Sequence, residues 1–193
     1  MEKVPSAASN DKIEKESKKA FLYHMVPAGM QGATLYPLNS LKDAHSDLYA
    51  AKAAKYEGRE HVMEQFLPTL EAAWNDVLHF TAVDPHELKQ ALLDAGMEPR
   101  EMKFYQVDPT LLDPKQTTIY LYQDKSSGDK MNPENFAEFN PENIEEHASL
   151  PQKTKDYYKE MFAEGKRPLL FVGVPHILHK GSLDISELPV ISV

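Results

Sequence analysis

Arg167-Pro-Leu-Leu-Phe-Val-Gly-Val-Pro-His-Ile-Leu-His-Lys-Gly-Ser-Leu-Asp184 joins the most apolar run of the chain to a dense group of polar side chains. Leu169 to Val174 reads as a buried strand, because a short apolar run bounded by turn residues fits a core strand. Pro175 lacks the N–H that a ladder needs and stops regular pairing. His176, His179, Lys180, Ser182 and Asp184 follow at once. On this reading Arg167–Val174 is a central core strand, and the polar group is displayed at its end.

The neighbouring segments are read around that strand. Phe21–Val26, Ala33–Leu38, Val77–Val83, Met102–Val107, Thr117–Tyr122 and Leu188–Val193 carry strand-like patterns. Helices are expected from Leu41 to Tyr56 and from Arg59 to Trp74, the second broken by Pro68. Asp84-Pro-His-Glu87 is a helix start, with Asp84 as the cap and Pro85 at the first helical position, and Gly96 is the stop. Asn132-Pro133 and Asn140-Pro141 open short helical pieces, and Thr154–Glu164 is a further helix ended by Gly165. The pattern Phe-x-x-Val-Asp-Pro-x-x-Leu occurs at Phe80–Leu88 and again at Phe104–Leu112. It is read as strand-exit punctuation rather than as a repeat.

Strands come partly in succession and partly separated by helices. The expected class is therefore α+β, a mixed α/β chain with a mostly antiparallel or mixed sheet of about six strands packed with about five helices. Residues 1–19 are rich in Lys, Glu and Ser and read as a flexible charged tail. Residues 20–193 are expected to form a single globular domain.

Composition narrows the function classes. The 193 residues include 21 basic and 30 acidic side chains, a net charge of −9. A chain that acidic lacks the basic footprint by which proteins release counterions from nucleic acid. There is no cysteine, which excludes disulfides, thiolate nucleophiles and Cys-ligated metal sites. No apolar run reaches the length of a membrane span, and the charged start is not a Sec-type leader. The expectation is a cytoplasmic protein whose partners are neither nucleic acid nor membrane. No glycine-rich phosphate loop is present, so a P-loop or Rossmann turn is not the route to a nucleotide. No cofactor can be assigned from the sequence.

The chemistry-bearing candidates are histidines on strand-like segments. His24, His79 and His176 are the candidate catalytic residues, since imidazoles converging at strand ends serve acid–base work. Tyr23, His179, Ser182 and Asp184 are the candidate ligand-binding residues. A metal reading of His176, His179 and Asp184 fits no established ligand spacing, and no metal is assigned. Ser182, His179 and Asp184 also suit a nucleophile–base–orienter set, although such sets usually assemble from distant segments. In Trp74-Asn-Asp-Val-Leu-His79, Trp74 reads as a core anchor, while Asn75 and Asp76 shape a turn.

Leu22-Tyr-His24, the glycine-bearing turn after it and the second strand resemble the opening of ADP-ribosyltransferase-like proteins. The resemblance implies that a histidine on the first strand orients a nicotinamide nucleotide and that a later glutamate grips a ribose. This sequence has no Ser-Thr-Ser segment and no late Glu-x-Glu pair, and Glu187 is the only late glutamate close to a strand. The function expected is an enzyme or nucleotide-ligand-binding domain with a histidine-bearing cleft, taking a small-molecule or nucleotide ligand. The alternative is a non-enzymatic, effector-like module that binds a protein partner.

Overall fold

A computed structural model describes residues 19–44, 46–54, 65–122 and 131–193. Among the described residues, eleven short strands form four antiparallel sheets. β1 (Leu22–Met25), β6 (Lys103–Val107) and β11 (Val190–Ser192) make one sheet in the order β1-β6-β11. β5 (Leu78–Phe80), β9 (His176–His179), β7 (Thr117–Tyr120) and β8 (Phe136–Glu138) make the largest, in the order β5-β9-β7-β8. β2 (Thr34–Leu35) pairs with β10 (Leu183–Asp184), and β3 (Phe66–Leu67) pairs with β4 (Ala72–Ala73).

The α+β class holds, but the element counts do not. Sheet-forming residues are divided among more and shorter strands than the sequence implied. The helices are α1 (Leu41–Ala44), α2 (Ser46–Ala53), α3 (Pro85–Asp94) and α4 (Gln152–Ala163) among the described residues. Of these, as far as the described residues run, α3 and α4 are the two of ten residues or more. The helix expected over Arg59–Trp74 is replaced from Phe66 onward by the β3–β4 hairpin, because Pro68 cannot donate in a helix interior. Its beginning, residues 59–64, lies outside the described residues, as do the tail over 1–18, the end of the preceding helix and most of the polar loop after Gln123.

The largest correction concerns Leu169–Val174. It is a turn-rich loop, with Leu169 49% exposed, and the strand begins only at His176. The reason lies in α4. Tyr158 Oη donates to the Leu170 carbonyl, Thr154 Oγ1 donates to the Val172 carbonyl at 3.0 Å, and Leu169 N–H donates to Tyr157 Oη at 3.2 Å. With three of its main-chain groups taken by helix side chains, and Val174 N–H turned onto the Phe171 carbonyl, the run is held as a loop rather than paired as a strand. Gly173 turns the chain at φ +77°, a conformation that side chains rarely adopt.

Asp and Asn before proline form one device used several times. Asp84, Asp108, Asp113 and Asn132 each accept the N–H of the residue two further on, at 2.9–3.0 Å. The first starts α3, whose buried Leu88 and Leu92 pack beside Tyr158 of α4. The others start single 3-10 turns. The echo in the sequence is thus a shared strand exit with two different continuations.

Successive side chains of a strand point to opposite faces. Leu22, Phe80, Val107, Ile119 and Ile177 fill one core cluster, whereas Tyr23, Val83, Leu88 and Phe104 fill a second on the far side. A third cluster gathers Leu67, Val77, Tyr120 and Leu178. One bridge joins the two larger sheets: Tyr23 and Thr81 exchange hydrogen bonds of 2.7 and 3.0 Å. Beyond it β1 and β5 no longer pair.

Candidate functional site

The separation of β1 from β5 creates the site. In an antiparallel ladder the next hydrogen-bonded pair after Tyr23–Thr81 falls two residues along each strand, at Met25 and His79. Here the His79 carbonyl accepts a hydrogen bond from His24 Nδ1 instead, at 2.7 Å. A side chain stands where a strand would continue, and a cleft of about 520 Å³ opens beside it. His24, Tyr36, Trp74, Asn75, His79 and Phe171 are among the residues lining it.

Trp74 to Asp76 form a 3-10 turn between β4 and β5. Asp76 holds that turn: its carboxylate accepts Ala73 N–H at 2.8 Å and the Asn39 side-chain amide at 2.6 Å. Asn39 N–H in turn donates to the Asn75 carbonyl at 3.0 Å. The result fixes Trp74 against His79, with ring centres 4.5 Å apart, and buries Asn75 to 2% exposure. The Asn75 side-chain nitrogen is buried with no hydrogen-bond partner among the described residues.

Hydrogen-bond partners set the tautomers of the histidines, since a carbonyl can only accept. His24 donates through Nδ1, and His79 donates through Nε2 to the Trp74 carbonyl at 2.9 Å. His176 donates through Nδ1 to the Val174 carbonyl at 2.7 Å. The case of His179 follows by elimination. Thr117 Oγ1 gives its one proton to the Asp113 carbonyl at 2.7 Å, so at 2.9 Å from His179 Nδ1 it accepts.

The predicted site residues separate into groups. His24 and His79, far apart in sequence, share the cleft. His176 lies one layer behind, its ring 6.0 Å from His79 and 5.7 Å from Trp74, and it stacks on Tyr122. Burial lowers the His176 pKa to about 4, opposed only in part by its bond to Val174. Near neutral pH it is uncharged, which suits packing rather than proton donation.

Tyr23 points to the opposite face of β1 from His24, into the cluster with Val83 and Leu88. Its phenol pKa is raised by burial and by nearby Asp84. His179 lies on the opposite face of β9 from His176, so the two histidines cannot ligate one ion with Asp184. Burial lowers the His179 pKa, with Asp113 acting against it.

Asp184 turns its carboxylate onto Ser186, accepting the main-chain N–H at 2.9 Å and the hydroxyl at 2.7 Å. Those bonds lower its pKa. Ser182 is exposed, and no hydrogen bond among the described residues joins Ser182, His179 and Asp184 into a relay. Lys180 reaches back to the Leu70 and Glu71 carbonyls at 3.1 and 3.4 Å, steadying a turn in which Glu71 has φ +46°. Glu187 is exposed on a turn.

Sequence reasoning missed Trp74 and Asn75 as lining residues, and Tyr36 and Phe171 with them. The signal present in the sequence is the adjacency of the single tryptophan to an amide, a pair that reads first as core anchor and turn and only second as a ligand contact. No group of three or more His, Asp or Glu side chains among the described residues could hold a metal ion. No helix among them is long and apolar enough to cross a membrane. Comparison with known proteins found no matching family model, curated protein or solved structure.

Proposed function

We propose that this protein binds a small ring-bearing ligand of the nucleotide class in the cleft between β1 and β5, with His24 and His79 as its polar contacts. The observation that carries the reading is the cleft itself. It brings two strand histidines with assigned donor nitrogens beside a half-buried tryptophan, in a volume of about 520 Å³. Ligand pockets of this size usually combine an apolar, aromatic lining with a few convergent polar groups. Tryptophan and histidine rings supply stacking surface for a flat heterocycle, and imidazole supplies hydrogen bonds and proton transfer. Any acid–base chemistry falls to His24 and His79 rather than to His176, which is set back from the cleft.

The resemblance of Leu22-Tyr-His24 to the first strand of ADP-ribosyltransferase-like proteins points to the same place on the chain. The test is thermal melting of the wild type across a panel of nucleosides, nucleotides and dinucleotides, repeated with His24→Ala. A ligand that raises the wild-type melting temperature and leaves His24→Ala unmoved supports the reading. A panel in which nothing shifts the wild type removes it.

A further inference from the structure

We infer that the Asn75 side-chain amide is the specificity donor of this cleft, and that the buried part of the ligand is an uncharged flat heterocycle presenting a carbonyl or ring-nitrogen acceptor. The inference rests on the cleft being a ligand site and deepens that reading. Asn75 is 2% exposed and lines the cleft, and its side-chain nitrogen has no partner among the described residues. An unmet buried donor carries a desolvation cost, so a native chain that keeps one calls for a reason.

Turn-making is not that reason. The turn is held by the Asp76 carboxylate and by Asn39, and among the described residues Asn75 joins it through its main-chain carbonyl. The amide nitrogen is left over after the local structure is complete. It sits next in sequence to Trp74, a half-buried aromatic residue that lines the same cleft. A donor beside a stacking surface selects a flat ring with an acceptor on its edge.

Charge narrows the ligand further. Among the described residues lining the cleft there is no lysine, arginine, aspartate or glutamate side chain. A phosphate or carboxylate drawn inside would lose its hydration with no fixed-charge cation among these residues to meet it. The heterocycle therefore enters the cleft, and any phosphate stays outside in water. Binding then depends little on the phosphate and little on salt, because no counterion-rich contact forms.

The experiment compares adenosine, guanosine, cytidine and uridine with their 5′-monophosphates by calorimetry, on the wild type and on Asn75→Leu, Asn75→Asp and Asn135→Leu. Asn135 is the control, since its buried side-chain nitrogen is also unpartnered but it is not among the residues lining the cleft. Expected are a nucleoside and its monophosphate of closely similar affinity, and a loss of at least about tenfold in Asn75→Leu and Asn75→Asp. Asn135→Leu keeps wild-type affinity. Asn75→Leu also keeps or raises the melting temperature, because it deletes an unmet donor.

Wild-type binding that survives intact in Asn75→Leu overturns the role of the amide while leaving the cleft reading in place. Binding confined to the monophosphates and abolished by salt overturns the uncharged-ligand assignment. Absence of binding by every probe to the wild type removes the cleft reading and this inference together.

Discussion

His24 Nδ1 donates to the main-chain carbonyl of His79 at 2.7 Å, at the point where β1 and β5 cease to pair. That bond does two things at once. It satisfies a carbonyl that a continuing strand would have satisfied, and it holds the first strand's histidine at the mouth of the cleft. His24→Ala should therefore lose stability as well as ligand response. Losing a part-buried hydrogen bond costs about 0.5–1.5 kcal/mol, readable as a lowered urea midpoint at unchanged slope. An unaltered midpoint would show that the bond is not made in solution.

Trp74 is the only tryptophan in the chain, and it both lines the cleft and lies against His79. Intrinsic fluorescence thus reports on the proposed site without a label. A ligand that stacks in the cleft should change the emission intensity on titration, with the same midpoint as calorimetry. Binding seen by calorimetry with no change in emission would place the ligand elsewhere on the protein.

Acid should destabilise the fold through His176. Its folded pKa is about 4, against an ordinary value of 6.5, and the cause is burial. The unfolded chain therefore binds the proton more readily. The neutral ring's contribution is complete above about pH 6.5, declines as pH falls, and is exhausted near the folded value. Between pH 7 and pH 5 the loss is about 2 kcal/mol from this residue alone. His179, also held low by burial, adds in the same direction. Denaturant melts of wild type and His176→Phe at the two pH values should show a smaller pH dependence in the variant. Equal dependence in both would mean that His176 is not the group responsible.

Gly173 and Gly165 both have positive φ, +77° and +69°. They differ in surroundings. A Cβ on Gly173 would meet Thr154 Oγ1 at 2.9 Å, whereas one on Gly165 would meet nothing within 4 Å. Gly165→Ala should cost about 1 kcal/mol from the backbone alone. Gly173→Ala should cost about 2–3 kcal/mol, since it also disturbs the bond from Thr154 to the Val172 carbonyl. Chemical denaturation of the two variants side by side measures the difference, and equal costs would show that Thr154 yields freely.

Local chemistry was legible wherever it was self-contained. Asp84 followed by Pro85 starts a helix because the carboxylate and the fixed proline φ act within a few residues. Thr117–Tyr120 forms a strand as its β-branched and aromatic residues imply, and it is buried throughout. His24 and His79 likewise lie on the strands their segments imply, β1 matching to one residue at each end and β5 ending three residues before Val83. Each of these depends on neighbours along the chain.

The sequence by itself thus determined the class, the strand exits and the segments on which His24 and His79 lie. Tertiary structure decided the rest. Leu169–Val174 has the composition of a core strand, yet Tyr158 and Thr154 of α4 take its carbonyls and leave it a loop. The polar group behind Pro175, expected as the site, is spread over both faces of β9 and onto exposed turns, because side chains alternate along a strand. The cleft arises instead where two strands part, and Asn75 acquires its unmet donor only because Asp76 and Asn39 complete the turn without it. Such outcomes depend on which distant group reaches a given carbonyl or amide first, and spacing along one chain carries no record of that competition.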